Sequence, residues 1–334
     1  MKLIINDKEF KFFSDYEINL NFNSIASSFN VRGLRNFLPS LSSYANAEVF
    51  DNDNNLLITG TIIRSDYPQS RKPELVSVSG YSLPGVLEDA NINNYPLQTD
   101  NLRLKEIIDR LLSPFSLSYI AATSITKDFN TKIDKSAASA TQTVKSYINQ
   151  LCSQRNILLS HNEKGNLIFT RIDLNKLNPI PMENIISAGL SINGQALFNP
   201  IKVIRQASRN NPDAGEAVIN NVYCPVYRPK TKLINSGNIF DVEKAAINEL
   251  AAQLSTIKLT INTRKDIKPN NLISVRLPEL GINELTEFFV ESTSIKGTKT
   301  GEIYTLTCVL KDVYSGKVPV FNIFDTLNFD ERKV

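Results

Sequence analysis

The chain has no tryptophan, a single histidine (His161), two methionines and three cysteines in 334 residues. One histidine excludes any zinc site built on two or more imidazoles and leaves one candidate base for a nucleophilic triad. Cys152, Cys224 and Cys308 are odd in number and widely spaced, so no disulfide framework is expected. No run of 18 apolar residues occurs, so no membrane-spanning helix is expected. Met1–Ile5 meets Asn6-Asp7 before a signal-peptide apolar region could form, which predicts a soluble product made in the cytoplasm. Also missing are the Gly-x-Gly-x-x-Gly and Gly-x-x-x-x-Gly-Lys-Ser/Thr phosphate loops and the Gly-x-Ser-x-Gly elbow. Excess charge of one sign is absent too: 37 Lys and Arg against 34 Asp and Glu give +3. That balance is unlike a basic nucleic-acid-binding domain.

What is present is ordinary globular material, 42% hydrophobic and 21% charged. Ile18, Leu20 and Phe22 alternate with Asn19, Asn21 and Asn23, the two-residue period of a strand with one apolar face. Ala45–Phe50 and Leu56–Arg64 read as strands around the turn-forming run Asp51–Asn55, and Glu74–Gly80 as a further strand. The middle changes period. Leu104, Ile107, Ile108, Leu111 and Leu112 follow helical spacing behind a candidate cap, Asp100. Val144, Tyr147, Ile148, Leu151 and Cys152 repeat it, opened by Thr141. A hairpin follows over Asn156–Arg171, and the segment Thr123–Thr141 between the helices reads as an exposed linker. Strands then return, interrupted by one helix with Val242, Ala245, Ala246, Leu250, Ala251 and Leu254 on a face behind Asp241. In the last strand Tyr304, Leu306, Cys308 and Leu310 alternate with Thr305 and Thr307. The fold class is α+β: residues 1–92 a β domain, 93–178 an α/β module of two helices and a hairpin, 179–334 a second β domain with an inserted helix.

The reactive residues have plain readings. Asp51–Asn55 opens like a calcium loop, but Leu56 and Ile62 stand where an EF-hand needs Gly and Glu, so it reads as a polar hairpin tip. His161 beside the Asn162–Gly165 turn has no second ligand and reads as a solvated surface residue. Cys152 and Cys308 fall on apolar faces and read as small hydrophobes; Cys224 precedes Pro225 with nothing basic adjoining. Glu88-Asp89 and the pair Glu243 and Glu249 read as solvated charges. Val31–Phe37 and the group Lys258, Arg264, Lys265 and Lys268 read as solvated faces rather than a phosphate-tracking groove. No catalytic, cofactor-binding or metal residue is assigned, and no cofactor is expected.

Val76–Asp89 runs as a strand, then Gly80-Tyr81-Ser82, then Leu83, Leu87 and Asp89. This resembles the junction after the first barrel in the phage baseplate hub family of Mu-like and contractile tails. Leu102–Leu112 resembles that family's helix, and Val144–Arg171 its helix-plus-hairpin module. The order Asp241–Leu254, Lys258–Asn262, Asn270–Val275 is similar to the second barrel. Glu287–Ser292 and Glu302–Thr307, joined by Lys296–Gly301, resemble the closing hairpin. The resemblance implies two tube-like β-barrel domains (1–92 and 179–334) packed with the smaller α/β module. It further implies a non-enzymatic, homotrimeric ring that adapts a six-fold tail tube to a three-fold central spike. The partners it implies are the tail tube or its initiator, the spike, the tape measure protein and DNA in transit. The location it implies is the virion baseplate, after synthesis in the host cytoplasm. A tail-associated peptidoglycan hydrolase and a receptor- or glycan-binding tail-tip module are the alternatives.

Overall fold

In a computed structural model, residues 1–10, 13–34, 43–67, 75–93, 96–133, 136–205, 215–234, 242–298 and 301–324 are described. The chain begins with a two-residue hairpin. Asn6 and Asp7 take φ of 45° and 65°, the doubly left-handed turn that matches strand twist. They join β1 (Lys2–Ile5) to β2 (Lys8–Phe10). Next come β3 (Asp15–Asn21), β4 (Ser28–Leu34), β5 (Asn46–Phe50), β6 (Leu56–Asp66) and β7 (Leu75–Ser82). The predicted polar tip closes β5 onto β6: the Asp51 carboxylate accepts from the Asn55 backbone N–H at 2.7 Å and its side-chain amide at 3.0 Å. β7 continues through Gly80 to Ser82, two residues beyond the strand read over Glu74–Gly80. Gly80 is needed there because a Cβ would lie 2.6 Å from the Phe29 ring and against the Thr61 carbonyl.

The middle module is built from β8 (Leu102–Arg103), α1 (Leu104–Leu112), β9 (Tyr119–Ala121), α2 (Thr126–Asn130), β10 (Lys132–Ile133), α3 (Val144–Ser153), β11 (Leu158–His161) and β12 (Leu167–Thr170). Both predicted helix faces are buried in one apolar core, as the 3.6-residue period requires. Three details differ from the sequence reading. Asp100 does not cap α1: its carboxylate accepts from the Ser136 N–H, and Glu106 reaches back to the Arg103 N–H instead. The cap of α3 is Thr143, whose hydroxyl accepts from the Ser146 N–H at 3.2 Å, not Thr141. The segment expected to be an exposed linker contributes Ile125, Phe129 and Ile133 to the core. Those three sit four residues apart, and Phe129 meets Phe169 edge-on at 5.1 Å.

The last part contains β13 (Ile180–Pro181), β14 (Ser187–Ile192), β15 (Ile201–Arg205), β16 (Gly215–Ile219), β17 (Lys230–Ile234), α4 (Val242–Leu254), β18 (Ile257–Thr263), β19 (Leu272–Leu277), β20 (Ile282–Thr298), β21 (Gly301–Leu310) and α5 (Asp312–Ser315). Asp241, read as the start of α4, lies outside the described residues. β15, β16 and β17 form a separate three-stranded sheet against α4. The main sheet runs in the order β14-β18-β21-β20-β3-β4-β7-β6-β5-β1-β2, with β19 paired to β20 and β13 to β19, while β9, β12 and β11 of the middle module form a three-stranded sheet of their own.

The 17-residue strand β20 makes that continuity. Its first half pairs with β19, and after a register shift between Val290 and Ser292 its second half pairs with β3. Strands from the two ends of the chain therefore share one sheet and one apolar core, which runs from Leu3 to Phe324. The β-rich α+β character matches the sequence reading. Closed barrels are not found among the described residues, where the main sheet has open edges at β14 and β2.

Candidate functional site: an uncharged polar face of the main sheet

Strand alternation sends every second side chain of the main sheet to the core and the others to the opposite face. The composition of that opposite face is the most distinctive feature of the molecule. Cross-strand register sets Ser187 opposite Asn262, Asn262 opposite Thr305, and Thr305 opposite Ser294. Ser294 then faces Asn19, and Asn19 faces Ser28. Ser28 faces Tyr81, Tyr81 faces Thr61, and Thr61 faces Asn46. One unbroken row across nine strands thus carries only hydroxyl and amide groups. A neighbouring row repeats the chemistry with Thr260, Thr307, Ser292 and Asn21.

These groups bond to one another: the Asn262 amide donates to Ser187 Oγ at 2.8 Å, and the Thr305 hydroxyl to Asn262 Oδ1 at 2.7 Å. On the other flank, charges appear in pairs: Lys296 with Glu17 at 3.5 Å, Arg32 with Asp15 at 3.8 Å, and Arg64 with Asp66 at 2.9 Å. The alternating Asn19, Asn21, Thr305 and Thr307 were visible in the sequence. That they form one row was not, because the row depends on the β20–β3 pairing.

Two apolar surfaces are also exposed. Val218 and Leu233, at 52% and 56% exposure, stand on the outer face of the three-stranded sheet. Leu285, Val320 and Phe321 border a groove of about 510 Å³ near the last described residues. Contiguous exposed apolar groups mark contact surfaces, but Val218 and Leu233 stand on opposite edge strands, with the Lys202–Glu216 ion pair on the same face.

The singled-out residues are dispersed. His161 is not solvated: its Nδ1 lies 2.8 Å from the Ser24 carbonyl and its Nε2 2.8 Å from Ser27 Oγ. It fastens the β11–β12 hairpin to the main sheet, with the Glu163 carbonyl accepting from the Thr59 N–H at 2.8 Å. Nearby, Asp51, Asp266 and Lys268 face the same cavity of about 410 Å³. Burial holds the His161 imidazolium down, against the opposing hydrogen bond to Ser24. The unfolded chain therefore binds the extra proton more readily near the ordinary His pKa of about 6.5. Stability should fall as pH drops from about 6.5 through the lower folded pKa, by up to about 1.4 kcal/mol per pH unit. Urea melts of wild type and His161→Gln at stepped pH should show this slope in the wild type only. Equal slopes would remove His161 as its source.

Cys152, Cys224 and Cys308 are all buried. Burial pushes the Cys152 thiol up to about 12 despite Arg155 nearby, and raises that of Cys308 as well. Glu88 pairs with Lys145 at 2.6 Å. Glu249, expected in solvent, is instead buried between Lys230 and Lys232 at 2.6 and 2.8 Å. The basic group does not form one patch: Lys258 and Arg264 lie at opposite ends of β18, about 20 Å apart. Lys268 meets Asp266 at 3.1 Å and Asp51 at 3.9 Å. Of Val31–Phe37, the stretch Arg35–Phe37 lies outside the described residues.

Residues 85–171 match the family model described as "Baseplate hub protein gp44-like, second domain". No curated protein sequence matches the chain. Among solved structures, the chain is similar to a 43 kDa tail protein of prophage MuSo2 from Shewanella oneidensis. The TM-score is 0.78 at 18% identity, over 93% of this chain and 98% of that one. A tail protein from Neisseria meningitidis MC58 gives 0.78 at 20% identity, over 95% and 98%. The Escherichia coli c3393 protein, a type VI secretion component described as structurally similar to T4 phage tail proteins gp27 and gp5, gives 0.60 at 8%, over 93% and 77%. The resemblance at Val76–Asp89 and Val144–Arg171 therefore agrees with these findings: residues 85–171 match a gp44-like second domain of baseplate hub proteins, in a chain whose fold is that of these phage tail proteins.

Proposed function

We propose that the chain is a structural hub subunit of a phage or phage-like tail baseplate, and that three copies form a ring joining a six-fold tube to a three-fold spike. The observation that carries this reading is the position of the gp44-like domain, between two β-rich parts that share one sheet through β20. Residues 1–92 and 179–334 serve as two pseudo-equivalent tube-like units, curved toward barrels in the ring, and 93–178 as the module between them. Two such units per chain and three chains give six, which is how a trimer meets a six-fold partner. Among the described residues the main sheet ends at β14 and β2, and neighbouring chains add strands at those edges. Val218 and Leu233 supply apolar contact area.

The partners are a tube or tube-initiator protein, a central spike and the tape measure protein. DNA crosses the ring without being read, and the protein has no catalytic task. Light scattering should give three times the 37.4 kDa chain mass, and negative-stain images should show rings with a central opening. A species that stays monomeric or dimeric at high concentration, with and without spike protein, overturns the ring.

A further inference from the structure

We propose that the groove beside the first half of β20 is a docking slot for an extended segment of another protein. That segment adds to β20 as a strand and carries alternating apolar residues and a basic side chain. The slot exists because β20 outruns its neighbour. β21 pairs with it only from Phe288 onward, with Leu310 opposite, and the chain then turns into α5. The Val290 N–H donates to the Asn271 carbonyl on the β19 side at 2.9 Å. Strand alternation therefore points the Phe288 backbone to that side as well, and turns the Glu287 N–H and C=O to the side that β21 has left.

Asn283–Leu285 are held by less still. The register shift between Val275 and Leu277 takes them off β19. The Asn283 carbonyl accepts from Arg276 Nε at 2.7 Å, and the Glu284 carbonyl from the Thr286 hydroxyl at 3.0 Å. Among the described residues no strand lies along this length of β20 on the β21 side. Such an edge is a template for a partner strand.

The facing wall is the strap Lys317–Phe321, and the space of about 510 Å³ between them is that of a ligand or peptide cleft. Leu285 on one wall is 70% exposed, and Val320 and Phe321 on the other are 89% and 65% exposed. Apolar side chains of an added strand thus find partners on both walls. Charge selects the occupant. Glu287 and Lys311 neutralise each other at 2.9 Å. Glu284 and Asp312 make no ion pair among the described residues, and Lys317 alone stands against them in the slot. That balance favours a segment with lysine or arginine over an acidic one.

The test pans a displayed library of random decapeptides on the full chain and measures the selected peptides, synthesised with a fluorophore, by anisotropy. They should alternate apolar and polar residues and include a basic one. Leu285→Lys with Val320→Lys should weaken them about tenfold or more, as loss of interface anchors does. Both sites are exposed, so the fold should hold, which thermal melts check. Val218→Lys with Leu233→Lys, on the separate three-stranded sheet, should change nothing. Methylating the peptide's backbone nitrogens one at a time should weaken binding at every second residue, the period of a strand bonded along one edge. No enriched peptide, or binding to the Leu285/Val320 variant within about threefold of wild type, under about 0.7 kcal/mol, overturns the slot. Methylation tolerated throughout overturns strand addition. A chain ending at Phe324 that binds the peptides about tenfold tighter, or about 1.4 kcal/mol, puts the chain's own last residues there and overturns an external partner. Peptides that dissociate an oligomer of the chain put a second copy there and overturn it likewise.

Discussion

Phe289→Ala should lower the unfolding free energy by about 3–5 kcal/mol, the loss expected when a fully buried phenyl ring is removed and its cavity stays partly open. Phe289 has no exposed surface. Its ring meets Phe22 edge-on at 5.3 Å and Tyr314 at 4.4 Å. Those partners come from opposite ends of the chain, so the ring ties the N-terminal strands to the segment after β21. It also sits two residues before Glu291, where β20 shifts register between Val290 and Ser292 and changes partners. A cavity there weakens packing on both sides of the one strand that unites the sheet. Phe289→Leu fills part of the space and should cost about 1–2 kcal/mol. A double-mutant cycle with Phe22→Ala should give a coupling of about 0.5–1.5 kcal/mol, typical of an edge-to-face pair. Urea unfolding followed by circular dichroism measures all three. A loss under about 1 kcal/mol for Phe289→Ala would mean that this strand junction repacks freely, contrary to the close packing expected of protein cores.

The strands and helices were legible because each depends on a local period. Ile18 and Leu20 point to the core as their alternation predicted, and Leu104–Leu112 and Val144–Ser153 bury the faces their spacing marked. Pairings between distant strands were not legible. Nothing near Asn19 specifies that it stands beside Ser294, because register between strands so far apart is set by the common core and by the shift in β20. His161 was misread for the same reason. Its own neighbourhood is a polar turn, and its partners Ser24 and Ser27 come from more than 130 residues earlier. The buried linker residues Ile125, Phe129 and Ile133 did carry a local signal, a spacing of four, which the surrounding Ser, Thr and Lys obscured. Glu249 carried a fainter one. Lys230 and Lys232 lie on one face of a strand whose next residue on that face, Ile234, is buried. Two ammonium groups held beside a core position call for a carboxylate.

Glu249→Gln tests that carboxylate, and it should destabilise the protein by about 2–3 kcal/mol, a breakage cost of about 3–5 for a fully buried pair reduced because both ammonium groups reach water. The Glu249 side chain is 9% exposed, while those of Lys230 and Lys232 are 38% and 41% exposed. Glutamine keeps the volume and some hydrogen bonding but leaves two positive charges facing each other over the α4 surface. Burial pushes the Glu249 carboxyl up, yet the hydrogen bonds and charges of Lys230 and Lys232 outweigh it and hold it below its ordinary range. The linkage sign follows from the depressed folded value: the stabilisation is present above about pH 4.5 and is lost as pH falls through the lower folded pKa. Acid melts should therefore converge for wild type and Glu249→Gln. Near neutrality they should differ by the full amount. Replacing all three residues with apolar ones of similar size (Glu249→Leu with Lys230→Met and Lys232→Met) should recover most of the loss, because a desolvated ion group contributes little net stability over good apolar packing. If Glu249→Gln costs nothing at neutral pH, the two lysines find water without the carboxylate, and α4 is held to its sheet by the apolar cluster around Val203, Ile234, Ala245 and Ala246.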